Sequence, residues 1–132
     1  MQEMNYVSIV VAAVAAFVAS VVWYAVFGRA MAGLRGTDAA AGSDSGTPIW
    51  AMLFVVAQSL VVAFMVAYFV SRLGITGFAG AVGIGTLVWI FPAAILLGSV
   101  VHEGVPLALA AIHAGDWLVK LLLIAVIVGA WR

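Results

Sequence analysis

The sequence predicts an all-α polytopic membrane protein: four transmembrane helices in an antiparallel bundle. Three observations predict it. The 132 residues are 67% hydrophobic and only 8% charged, against roughly 25% charged residues in soluble domains. Four stretches reach the length of about 20 mainly apolar residues that a helix needs to cross a bilayer. No segment shows the period-two alternation of a membrane β-strand, and lipid admits only helices or closed barrels because it leaves no backbone group unpaired. Five basic and five acidic side chains cannot clothe a fold of this size in water, so lipid is the expected solvent. The length fits one domain over 1–132.

The first helix is predicted over 6–27, "YVSIVVAAVAAFVASVVWYAVF". The flank before it, "MQEMN", carries Glu3 and no basic residue, and the apolar run exceeds a signal-peptide core, so a retained helix is expected. A loop rich in Gly, Ala, Ser and Asp is predicted over 28–48, ending at Pro48 in the first turn of the second helix. The second helix is predicted over 49–71, the third over 77–101 and the fourth over 106–131. "RLGIT" and "HEGV" are read as short turns, which make consecutive helices antiparallel neighbours. An even number of spans puts both termini on one side. Arg29 and Arg35 face Arg72 and Arg132 across the membrane, a tie under the positive-inside rule. The bare N-terminal flank and Arg29 after the first helix tip the expectation towards termini outside.

Small residues at four-residue spacing mark candidate helix contacts: Ala12, Ala16 and Ser20; Ala63 and Ala67; Ala79 with Gly83; Ala81 with Gly85; Ala111 with Gly115. In so Ala- and Gly-rich a chain such spacings also arise by chance. Pro92, inside "WIFPAAI", removes a helical hydrogen bond and is expected to kink the third helix. No internal repeat of the kind found in inverted-repeat transporters is discernible.

The unusual stretch is "IHAGDWLVK" (112–120). At 100° per residue, Asp116 falls about −60° and Lys120 about −20° from His113, one narrow stripe on the fourth helix. Asp and Lys at mid-membrane oppose insertion by ~5–7 kcal/mol together. The twelve Leu, Ile and Val residues after Pro106 favour it by ~4–7 kcal/mol, so this helix inserts only if the stripe turns inward and neutralises itself. Asp116 precedes Lys120 by four residues, the favourable order for a pair. Two readings stand side by side. In one, His113, Asp116 and Lys120 line a polar pathway, intramembrane ionisable groups being functional candidates by default. In the other, they are a satisfied polar contact that fixes helix packing or oligomer register.

Gln58 and Ser59, midway along the second helix, are candidates to hydrogen-bond to the stripe. His102 and Glu103 in "HEGVP" sit where a carboxylate would favour the start of the fourth helix, a capping role. The two histidines lie eleven positions apart and no HExxH pattern occurs, so no metal site is expected. Trp23, Tyr24, Trp50 and Trp131 fall near predicted helix ends as interfacial anchors, with Trp89 and Trp117 as deeper packing residues. No nucleophile–base pair, phosphate loop or nucleotide fingerprint is present, so neither an enzyme nor a cofactor is expected. With zero net charge there is no nucleic-acid footprint, and absent cysteine removes thiolate chemistry.

Four short motifs resemble a known family. "WYAVFG" (23–28), "EGVPL" (103–107), "IHAGDWLV" (112–119) and "VGAWR" (128–132) are similar, in order and spacing, to the small bacterial membrane proteins grouped as domain of unknown function 1761. The resemblance covers the chain apart from 28–48. It implies a single four-helix domain in the bacterial cytoplasmic membrane and supplies no activity. In the family pattern the position of Asp116 is usually aromatic, that of His113 is often polar, and Lys120 has no usual charged counterpart. Glu103, Gly104, Pro106, Ala114 and Gly115 then belong to the shared architecture, and the Asp116–Lys120 pair to this chain. The functional expectation is a homo-oligomer forming a permeation route for a small solute, ion or proton. The alternative is a non-catalytic subunit or scaffold, within a larger membrane complex, whose stripe mediates helix association. Its partners are lipid and further copies of itself.

Overall fold

The computed structural model describes residues 4–35 and 49–131. Among them run four helices and no strand: α1 (Tyr6–Arg35), α2 (Ile49–Arg72), α3 (Gly77–Glu103) and α4 (Leu107–Ala130). Each is long and apolar enough to cross a membrane.

Asn5 starts α1. Its Oδ1 accepts the backbone N–H groups of Val7 and Ser8 at 3.1 and 3.2 Å, pairing two of the donors that a helix start leaves orphaned. The predicted end at residue 27 is a correction: α1 continues through "GRAMAGLR" to Arg35. Arg, Ala, Met and Leu are strong helix formers and outweigh two isolated glycines at ~1 kcal/mol each. The remainder of the predicted loop, 36–48 with Pro48, lies outside the described residues.

The α2–α3 turn closes on Gly74, whose φ of +63° allows Ile75 N–H to reach back to Val70 O at 3.0 Å. Gly104, φ +68°, ends α3. The "HEGV" turn is thereby corrected. His102 and Glu103 are the last residues of α3, both exposed, and no acidic residue lies in the first turn of α4. Pro106 caps α4 from just outside it through its backbone, with no side-chain capping bond. The helix α3 is continuous across Pro92.

The bundle is lopsided. α4 packs against all three other helices, most extensively α3 and α1. α2 lies over α1 and α4 and barely meets α3, although only a short turn joins them. α1 and α3 do not approach each other among the described residues. They flank α4 from opposite sides.

The predicted small-residue rows divide accordingly. Ala12, Ala16 and Ser20 are buried, as are Ala63 and Ala67. Ala81 and Gly85 face α4: a Cβ on Gly85 would meet Leu121 O at 3.2 Å, and one on Gly129 would meet Ala81 Cβ at 3.3 Å. Ala79 and Gly83 are exposed, with open space where a Gly83 Cβ would stand. That row faces away from the bundle. The start of α1 and the end of α4 lie together, with Asn5 Nδ2 3.5 Å from Trp131 O.

Candidate functional site

The polar stripe faces inward, as its insertion energetics require. Asp116 is 2% and Lys120 5% exposed, on either side of the midpoint of α4. Their ion pair, Nζ to Oδ2, measures 2.9 Å. Lys120 Nζ also lies 3.8 Å from the centroid of the Trp117 ring. That aromatic face takes up part of the ammonium charge which lipid or packed side chains could not solvate.

The third partner comes from α1. Tyr24 Oη donates to Asp116 Oδ2 at 3.3 Å and lies 2.8 Å from His113 Nδ1. A phenol has one proton; with it committed to the carboxylate, the shorter contact takes the Nδ1–H of His113 as donor. The result is a continuous chain, His113 Nδ1 to Tyr24 Oη to Asp116 Oδ2, with Lys120 Nζ on the same oxygen. Among the described residues no donor reaches the other carboxylate oxygen, Asp116 Oδ1, although it is buried. An unmet buried acceptor is expensive, and more so on an ionised group.

Two indoles hold the helix that carries this chain. Trp23 Nε1 of α1 donates to Ile112 O at 2.9 Å, and Trp89 Nε1 of α3 to Ala114 O at 2.8 Å. Carbonyls two residues apart sit about 200° apart around a helix, so the indoles grip α4 from its two flanks. Gly115 makes one grip possible, since a Cβ there would stand 2.6 Å from Trp23 Cζ2.

Trp23 and Tyr24 are therefore not at the end of α1: the helix runs on to Arg35, and both residues hydrogen-bond to α4. A signal for this was present: the row Ala12, Ala16, Ser20 continued by four residues lands on Tyr24, and Ala81, Gly85 continued by four lands on Trp89. Each of these two rows leads to an aromatic residue that donates a hydrogen bond to α4. Gln58 and Ser59 make no hydrogen bond to the stripe among the described residues; Ser59 is buried and Gln58 partly so. His102 and Glu103, at the exposed end of α3, are not brought to the cluster. No group of three metal-ligating side chains occurs among the described residues.

Two cavities adjoin the cluster. One, of about 200 Å³, lies between α1 and α2 and is lined by Phe17, Ser20, Val21, Tyr24, Met52 and Val55. The other, of about 220 Å³, is entirely apolar and includes Pro92 and Trp117 in its wall.

No curated protein and no solved structure matches this chain. One family model does, over residues 7–129, described as "Protein of unknown function (DUF1761)". The match takes in all four helices and the whole polar cluster, and the chain belongs to the DUF1761 family.

Proposed function

We propose that this is a non-enzymatic integral protein of the bacterial cytoplasmic membrane that provides a permeation route for a small solute, ion or proton. The observation that carries the reading is Asp116. A carboxylate buried midway along α4, bonded to a tyrosine that in turn bonds a histidine, has one oxygen that no partner among the described residues meets. A contact selected only for packing would gain by filling that oxygen or by doing without the charge, since apolar replacements for buried pairs are often neutral or stabilising. Ionisable groups held at this depth commonly line ion or substrate paths.

The stripe is covered within one protomer, by α1 and α3 on the flanks of α4, so a second copy is not needed to hide it. Self-association is proposed through the outer face of α3, where Phe78, Leu87, Ile90, Phe91 and Ile95 are exposed; lipid is the competing occupant. Termini outside remain the proposed orientation, on the strength of Arg29 close to the C-terminal end of the first span, Tyr6–Met31, and of the N-terminal flank without Lys or Arg. The test is ion and solute flux into vesicles carrying the purified protein, with protein-free vesicles and the Asp116→Asn, Lys120→Gln double variant alongside. Flux above background in the parent and not in the variant is expected. A parent indistinguishable from protein-free vesicles sinks the proposal.

A second reading has its own observation. The Tyr24–Asp116 bond fastens α1 to α4, which is what a scaffold or subunit of a larger complex would need. Under that reading Tyr24→Phe weakens the fold or the complex, and no flux is found in any form of the protein.

A further inference from the structure

We propose that the species this site handles is the proton, passed between His113 and Asp116 through the hydroxyl of Tyr24. The inference rests on the permeation reading and narrows it to one cargo.

Charge argues first. Lys120 Nζ, 2.9 Å from Asp116 Oδ2, cancels the carboxylate and leaves no net negative charge to draw in a metal cation. Such a cation would have to displace an ammonium that also lies 3.8 Å from the centroid of the Trp117 ring. An anion meets the carboxylate. Access argues next. At 2% and 5% exposure neither charged group is open to a hydrated ion. A proton needs no cavity, only hydrogen bonds in sequence, and between His113 and Asp116 these stand at 2.8 and 3.3 Å.

The step balances. The Nδ1 proton of a doubly protonated His113 moves to Tyr24 Oη as Tyr24 gives its own hydroxyl proton to Asp116 Oδ2. Tyr24 ends as it began. His113 becomes neutral, Asp116 becomes a neutral acid, and the summed charge of the cluster is unchanged. Lys120 then loses its ion-pair partner and keeps the Trp117 face, which softens the loss. A half-turn of the carboxyl group about its Cβ–Cγ bond carries the proton to the position of Oδ1, which no partner among the described residues meets.

Other titratable groups are far along the chain. α2 brings only Tyr68 and Arg72, close to its C-terminal end, and α3 only His102 and Glu103, its last two residues. α1 brings Tyr24 to the cluster, while Tyr6, Arg29 and Arg35 lie towards its ends. The hydrogen-bonded groups of the relay are His113, Tyr24 and Asp116, with Lys120 on the same carboxylate oxygen.

The experiment uses the full chain in vesicles loaded with a pH-sensitive dye. A valinomycin-driven potassium potential pulls protons inward, and sodium uptake is followed in parallel. Expected are internal acidification faster than in protein-free vesicles, and its return to that background in Tyr24→Phe, which keeps the ring and removes only the hydroxyl. Sodium uptake without proton uptake in the parent overturns the proton assignment and leaves the permeation reading standing. Proton uptake that Tyr24→Phe preserves overturns the relay. A parent that moves neither ion removes the permeation reading and this inference with it. If Tyr24→Phe does not purify as a folded protein, His113→Asn carries the same test, with loss of acidification expected and its retention overturning the relay.

Discussion

Trp23 lies across Gly115 so closely that a methyl group at position 115 would stand 2.6 Å from Cζ2 and 2.9 Å from Cη2 of the indole. The ring cannot retreat freely, because its Nε1 is bonded to Ile112 O. Gly115→Ala is therefore expected to destabilise the bundle by about 1–3 kcal/mol from overpacking, against the ~1 kcal/mol that alanine ordinarily gains over glycine in a helix. The two effects separate in a double variant. In a Trp23→Leu background the clash is gone, and Gly115→Ala should become neutral or stabilising. Denaturant or SDS titration of the four proteins in detergent reads this non-additivity directly.

The two indole bonds should behave oppositely to that pair. Trp23 and Trp89 reach different carbonyls on opposite flanks of α4, and the helices carrying them do not touch. Trp23→Phe and Trp89→Phe each keep a ring and lose a donor. Each is expected to destabilise by about 0.5–1.5 kcal/mol, the range for hydrogen bonds in membrane and soluble interiors. Their effects should sum in the double variant, as for sites without shared partners. A double variant no less stable than the worse single would show that the indoles do not act as independent clamps.

Asp116 and Lys120 are expected to be worth less together than apart. Asp116→Asn alone leaves a buried ammonium and Lys120→Met alone leaves a buried carboxylate, each about 3–5 kcal/mol unfavourable. Removing both charges leaves no uncompensated ion. Asp116→Asn with Lys120→Met should fold better than either single variant, by yield in the membrane and by unfolding midpoint. If the double variant is instead the least stable of the set, the pair contributes net stability and its retention needs no functional explanation.

How much of this was legible follows from what each feature depends on. The four spans and the inward stripe were readable because both rest on solvation: apolar length decides the spans, and ~5–7 kcal/mol of charge decides the direction of the stripe. The end of α1 was not, because "GRAMAGLR" reads as loop on its glycines and as helix on its other residues. That misplaced end also put Trp23 and Tyr24 at the end of α1 and hid their bonds to α4. Glu103 was misplaced for a similar reason: Gly104 at φ +68° is where α3 stops, two residues later than the apolar pattern suggests. The pairing of Tyr24 with Asp116 depends on the register between α1 and α4, which no local pattern states. The small-residue rows that point at Tyr24 and Trp89 gain meaning only once one knows which rows face α4.

Gly83 and Gly85 allow that last distinction to be tested on one helix, two residues apart. Gly85 is buried, with Leu121 O at 3.2 Å and Ala125 Cβ at 3.3 Å from where its Cβ would be, while Gly83 faces open space. Leucine at 85 must push α3 off α4, so Gly85→Leu is expected to destabilise by about 1–3 kcal/mol or more. Gly83→Ala gains helix propensity of ~1 kcal/mol with nothing to clash against. The signs should therefore be opposite in an unfolding titration of the monomer. Position 83 also reports on the outer face of α3. If a second copy packs there through the Ala79–Gly83 row, Gly83→Leu lowers the oligomer mass in mild detergent while leaving the monomer's unfolding midpoint in place. If lipid covers that face, the mass is unchanged, because leucine is as well solvated by acyl chains as the helices around it.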